Sequence, residues 1–234
     1  MSTMEDAMRT GKAEKIIALA FFLLVGFPAS SRAGIPADQL RQTAEKVLLI
    51  LQDSRLKSLD QQQARREQLR QVISARFDFT EMAKRSLGMH WQRRGAEEQL
   101  RFVELFTDLL ARSYADQLES FNGEKIVYGR ESQENDYAEV DTRIVGKKGG
   151  EFAVNYRLRA VDRDWKVYDV VIENISLVNN YRSQFDRLLA KSSFEELLRK
   201  LQGNAFDAPA KNRQAAEALP PMAMATAARG GINR

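Results

Sequence analysis

The carboxyl best placed for acid–base chemistry in this chain is Asp169, inside the apolar run Trp165–Ile172 (WKVYDVVI). Burial there would raise its pKa and let it serve as a base, with Tyr168 beside it as a second acid–base candidate. The plainer reading, and the preferred one, is a carboxylate that accepts hydrogen bonds from backbone or an arginine. Little else converges on it. His90 is the sole histidine, so there is no Ser–His relay, no HExxH and no metal-spaced cluster. Next to Gly88 and Trp91 it reads as a helix-end residue. Cysteine is absent, which removes thiol catalysis, Fe–S clusters and Cys-ligated zinc. Gly146–Gly150 joins two strands, whereas a phosphate-binding loop leads into a helix. No cofactor and no metal are expected.

The residues around Asp169 belong to a longer segment, Trp165–Phe185, that begins as a strand. Strict alternation puts Trp165, Val167, Asp169 and Val171 on one side and Lys166, Tyr168, Val170 and Ile172 on the other. Both sets are largely apolar, unlike an antiparallel strand with one face in water. The sheet is therefore expected to carry apolar cover on both faces, or a cover plus an apolar cavity. The chain then turns at Glu173-Asn174 and enters a helix carrying Tyr181, Phe185, Leu188 and Leu189.

Helices come before the sheet. Leu40, Ala44, Val47, Leu48 and Leu51 fall at helical spacing, as do Leu69, Val72, Ile73 and Phe77. Asp78-Phe79-Thr80-Glu81 reads as a capping box starting a short helix that stops near Gly88. A long helix runs from about Ala96, with Phe102, Phe106, Leu109, Leu110, Tyr114 and Phe121 on its buried stripe. Strands follow at Ile126–Arg130, Ala138–Ile144, Phe152–Leu158 and from Trp165. A second capping box at Ser193–Glu196 opens a last helix that ends at Gly203. The fold class is α+β: an antiparallel sheet of about four strands with the helices in a segregated layer.

The ends differ from the middle. Arg9, Lys12 and Lys15 lead into the apolar run Ile16–Phe27, too short to span a bilayer comfortably, and Ser31-Arg32-Ala33 offers small residues for a signal peptidase. Residues 1–33 are read as a signal peptide cleaved after Ala33, against the alternative of an uncleaved anchor. Residues 34–203 form one domain, large enough to stand on its core without disulfides. Residues 204–234, Ala-rich with Pro209, Pro220 and Pro221, are read as a disordered tail. The formal charge is +4, from 36 basic and 32 acidic residues. Interspersed charges of that balance leave no footprint for nucleic acid. They suit a loose encounter with an anionic membrane without demanding one.

Three blocks decide between a solid core and a lined cavity, which periodicity cannot separate. FDFTEMAKRSLGMHW (Phe77–Trp91), RFVELFTDLLARSYADQL (Arg101–Leu118) and WKVYDVVIENISLVNNYRSQF, in order and suitably spaced, resemble the MlaC family. These are periplasmic phospholipid-binding proteins of an ABC transport system that maintains lipid asymmetry, also known from toluene tolerance, with a branch tied to hopanoid biosynthesis. The likeness spans roughly Pro36–Gly203. Asn174 stands where the motif has glycine, although Asn tolerates the left-handed conformation.

The resemblance implies a nuclear-transport-factor-two-like fold, the sheet wrapped by helices with an apolar pocket between sheet and helices. It implies a monomeric periplasmic carrier without chemistry. Such a carrier moves phospholipid, or a hopanoid-type lipid, between the substrate-binding subunit of an inner-membrane ABC transporter and an outer-membrane lipoprotein. Pocket candidates are Leu48, Ile73, Phe106 and Leu110 on helices, and Val140, Val154, Tyr156, Val167 and Val171 on the sheet. Arg93-Arg94 and Lys147-Lys148 are candidates for docking acidic partners or headgroups. The alternative is an isomerase or hydratase of the same superfamily fold using Asp169 or Tyr168 in the pocket.

Overall fold

The computed structural model describes residues 35–119, 123–146 and 150–203 together with Phe206. The signal segment expected up to Ala33, the docking candidates Lys147-Lys148 and the tail expected from residue 204, Phe206 apart, lie outside those residues.

Helix α1 (Pro36–Gln52) opens the domain, with proline at its first position, where a missing N–H is harmless. Two short 3-10 turns lead to α2 (Gln62–Ser74). Next come α3 (Phe79–Leu87), a 3-10 turn over Gly88–Arg93, and the long α4 (Ala96–Glu119). The strands are β1 (Lys125–Glu134), β2 (Tyr137–Val145), β3 (Glu151–Val161), β4 (Asp164–Ile172) and β5 (Ile175–Ser176). Helices α5 (Leu177–Leu189) and α6 (Phe194–Gln202) close the domain. The sheet runs β1-β2-β3-β4-β5, antiparallel at every step. The α+β architecture is the expected one, with a short fifth strand added.

That fifth strand follows the Glu173-Asn174 turn, where both residues take positive φ, 45° and 64°. Asn adopts this region readily and Glu does not. Glu173 is held there by Ala153, whose N–H donates to its carboxylate at 2.6 Å and whose carbonyl accepts from its N–H at 3.0 Å.

The strict alternation expected along β4 does not hold. Arg157 pairs with Asp169 but Leu158 pairs with Val167, so Tyr168 is an extra residue in a β-bulge. The bulge swaps the faces of the strand beyond it. Trp165 and Val167 share the inner face with Val170 and Ile172, which lie opposite Tyr156 and Val154. Asp169 and Val171 turn to the outer face, opposite Arg157 and Asn155. The continuous apolar look of the strand thus comes from one apolar face split across a bulge.

The inner face packs against the helices. Val140, Val154, Leu158, Val167, Val170 and Ile172 are fully buried with Phe102, Phe106, Tyr181 and Phe185 in the main core. The aromatic rings of α4 and α5 meet edge to face, Phe106 against Tyr181 at 5.4 Å and Phe102 against Phe185 at 5.7 Å. A second, smaller cluster of Val47, Leu51, Leu69 and Ile73 joins α1 to α2.

Asp78 ties three elements together. Its Oδ1 accepts from the Glu81 N–H at 2.9 Å and caps α3. Its Oδ2 accepts from Arg159 of β3 at 2.8 Å. Its own N–H donates to Val167 of β4 at 2.8 Å, so the return bond of the expected capping box is not made, and Glu81 pairs with Arg85 instead. Asp78→Ala should lower stability by about 2 kcal/mol, the cap and the half-buried ion pair together. Asp78→Asn keeps a capping oxygen and should lose about half of that. Urea denaturation of the three proteins checks the order; equal losses would show that the cap contributes nothing.

Candidate functional site: an apolar cleft beneath the first helix

Leu40, Thr43, Ala44 and Val47 recur at the spacing that places them on one face of α1. That face covers a cleft whose floor is Ile126 and Tyr128 of β1 and Tyr156 of β3. Ile73, near the end of α2, and Phe77 complete the wall. The cleft holds about 420 Å³ of empty space counting its open mouth. Only about 30 Å³ of this admits the centre of a water molecule, room for two or so waters. The walls therefore stand close together.

The cleft lies on the seam between the two apolar clusters. Leu40 and Tyr156 belong to the main core, Val47 and Ile73 to the α1–α2 cluster, and Phe77 packs against both. Its polar atoms are few. Burial pushes the Tyr128 phenol up to about 12, although Arg41 stacked over the ring at 4.7 Å pulls the other way. Burial pushes the Tyr156 phenol higher still, and the neighbouring Tyr128 adds to it. Both rings are neutral wall at any ordinary pH. They can hold hydrocarbon and have no means of abstracting a proton near neutrality.

Of the residues expected to line a pocket, Ile73 and Tyr156 line this cleft. Val140, Val154 and Val167 share the inner face but are sealed in the main core, as are Phe106 and Leu110 of α4. Leu48 sits on α1 outside both clusters, and Val171 is on the opposite face of the sheet because of the bulge. Leu40, Ala44 and Val47 were legible as a helical stripe. Nothing in the sequence marked that stripe, with β1, as the covering wall.

Asp169 and Tyr168 do not reach the cleft. Asp169 accepts from Ser176 Oγ at 2.6 Å, the Val178 N–H at 3.1 Å and Arg157 at 3.2 Å. Burial pushes its carboxyl above the usual range, while those three donors pull it back. Its position joins β4 to the start of α5, as the plainer reading expected. Tyr168 lies under the Arg85 guanidinium at 4.2 Å and meets Tyr137 edge on. An acid or base in the pocket is therefore not supplied by either residue. His90 bonds Asp186 of α5 at 3.2 Å, and no His/Asp/Glu cluster fit for a metal occurs among the described residues. Arg94 stacks on Phe194 at 4.6 Å and pairs with Glu98, while Arg93 is exposed. No helix among the described residues is long and apolar enough to cross a membrane.

The family model described as MlaC protein matches residues 41–203. The toluene tolerance protein ttg2D of Pseudomonas putida is 25% identical over 201 residues, which is 85% of this chain and 93% of that protein. The intermembrane phospholipid transport system binding protein MlaC of Haemophilus influenzae is 22% identical over 171 residues, 71% of this chain and 80% of its own. A phospholipid-binding protein from Ralstonia solanacearum, solved in complex with a phospholipid, superimposes with a TM-score of 0.65 at 23% identity. That match covers 78% of this chain and 99% of the other.

The two phenols make the cleft sensitive to alkali. Their folded pKa values lie above the unfolded value near 10, so the stability they contribute is complete below pH 10 and is lost as the pH rises toward 12. Tyr156→Phe should remove about 1 kcal/mol of that decline by pH 11. Denaturation of parent and variant at pH 8 and pH 11 measures it. A variant whose stability falls as steeply as the parent's would mean that Tyr156 ionises freely in the folded state.

Proposed function

Because the chain belongs to the MlaC family, we propose that it binds the acyl chains of a phospholipid in the cleft beneath α1 and carries that lipid through an aqueous compartment. The observation that carries this reading is the seam. An apolar cleft between two separately packed clusters can widen without breaking either one. The floor is an antiparallel sheet and the cover is a single helix resting on it.

Energetics favour a carrier over an enzyme. Two acyl chains bring about 30 methylenes, each worth roughly 0.8 kcal/mol to hide from water, so unaided crossing is negligible. A cleft about as apolar as the bilayer lets lipid exchange with little net change and no chemical step. Such a wall is by itself indifferent to headgroup. The finer reading is periplasmic, with lipid passing between the substrate-binding subunit of an inner-membrane ABC transporter and an outer-membrane lipoprotein. Docking uses exposed Arg93 and the Lys147-Lys148 pair, while Arg94 is held by its aromatic and acidic neighbours.

Native mass spectrometry of protein purified without detergent should show one phospholipid per chain. Ala44→Trp, aimed into the cleft from α1, should strip most of that lipid with little change in melting temperature. Val154→Trp, in the sealed core, should instead destabilise by about 1–3 kcal/mol. A polycyclic lipid released in place of a phospholipid would transfer the reading to the hopanoid branch. A homogeneous lipid-free mass for the parent would end it.

A further inference from the structure

Arg76 stands beside the cleft between two of its lining residues, Ile73 and Phe77, and a third, Thr43, accepts from its Nε at 3.1 Å. Its guanidinium is half-buried. Its Nη1 donates to Gln39 Oε1 at 2.6 Å and to the Trp165 carbonyl. All three acceptors are neutral. Among the described residues no carboxylate lies within ion-pair distance of this guanidinium. Asp164 acts on it only from farther off and is itself paired with Lys166 at 3.3 Å. Arg41, on the other flank of α1, differs: it pairs with Asp38 and covers Tyr128.

The orientation of Arg76 is fixed and one edge of it is unused. Nε and Nη1 are anchored to α1 and β4, while Nη2 has no hydrogen bond among the described residues and is not sealed from solvent. A partly desolvated cation without a counter-charge is an unfavourable arrangement, and burial accordingly pushes its pKa down. An oxyanion at Nη2 relieves that imbalance. Nη2 carries two N–H donors and can meet phosphate oxygen in a charge-assisted hydrogen bond.

We propose that the Nη2 edge of Arg76 binds the phosphate of a lipid headgroup whose acyl chains occupy the cleft. The site rests on the lipid-binding reading and deepens it. The apolar wall accepts any chain of suitable length, and Arg76 makes the carrier prefer a phosphate-bearing lipid over a neutral one with the same chains. The Gln39 and Thr43 tethers are positioning contacts: they spread the guanidinium between α1 and β4 with the free edge outward.

Calorimetry on the purified full chain, stripped of lipid, tests this with dihexanoyl phosphatidylglycerol and dihexanoylglycerol, which share their chains and differ in the phosphate. The parent should bind the phospholipid about tenfold more tightly, the scale of one added charge-assisted pair. Arg76→Gln should bring the two affinities close to parity without weakening the neutral lipid, and Arg76→Lys should restore part of the preference. Equal weakening of both lipids in Arg76→Gln would reduce Arg76 to a structural tether and overturn the proposal, as would an unchanged preference. Should Arg76→Gln fail to fold, the Nε–H resonance of Arg76 in the parent decides: it should move with the phospholipid and stay with the neutral lipid. A resonance that ignores both lipids while the parent binds them overturns the headgroup site and leaves the cleft intact. Inorganic phosphate is the remaining arm. If it shifts the resonance and the phospholipid does not, the site serves free phosphate and the headgroup assignment falls. A parent that binds neither lipid defeats the carrier reading itself.

Discussion

Two backbone hydrogen bonds to Val167 organise the domain. The Val167 N–H donates to the Arg76 carbonyl at 2.9 Å and its carbonyl accepts from the Asp78 N–H at 2.8 Å, which lays Phe77 parallel to β4. Three consecutive residues thereby acquire separate tasks. Arg76 reaches back to α1, Phe77 stacks on Phe79 at 5.8 Å and fills the seam, and Asp78 starts α3 while holding Arg159. Helices α1 and α2 lie on one side of this junction and α3 on the other. Burying these polar backbone groups unpaired would be costly, so the pairing also fixes where the helical layer meets the sheet.

Much of the architecture was readable because local chemistry and tertiary structure agree. Ser193 and Asp78 cap the helices expected of them, Ala96 begins the long helix, and the left-handed turn falls at Glu173-Asn174. The failures have one physical root. A period-two pattern says which residues share a face only while register is unbroken, and the extra residue Tyr168 breaks it without any glycine or proline to announce it. Val171 was consequently grouped with Val167, and Asp169 was grouped with apolar residues it does not join. The cleft was less legible still. Whether Tyr156 lines a cleft and Val154 fills a core depends on where α1 crosses the sheet, which is a long-range fact absent from either strand's composition.

The placement of polarity separates storage from structure. The bonded carboxylate of Asp169 and the edge-to-face pair Tyr137 and Tyr168 lie on the outer face, where they join strands to α3 and α5. The cleft side keeps two neutral phenols and one threonine hydroxyl. A wall of that kind can exchange hydrocarbon because it makes few directional demands. On the proposed reading, the Arg76 guanidinium beside it supplies the directionality that the wall lacks.

The division of apolar residues into two clusters also bears on what counts as the domain's core. Val47, Leu51, Leu69 and Ile73 form too small a group to be an independent folding nucleus, and they border the main cluster across a narrow gap. On the carrier reading, acyl chains in that gap touch both clusters at once and behave as a removable piece of the interior. Filling it makes α1 and α2 unfold together with the sheet; emptying it leaves them a cooperative unit of lower local stability, with amide protons that exchange on their own timescale. Cargo and cooperativity are then two descriptions of the same buried surface.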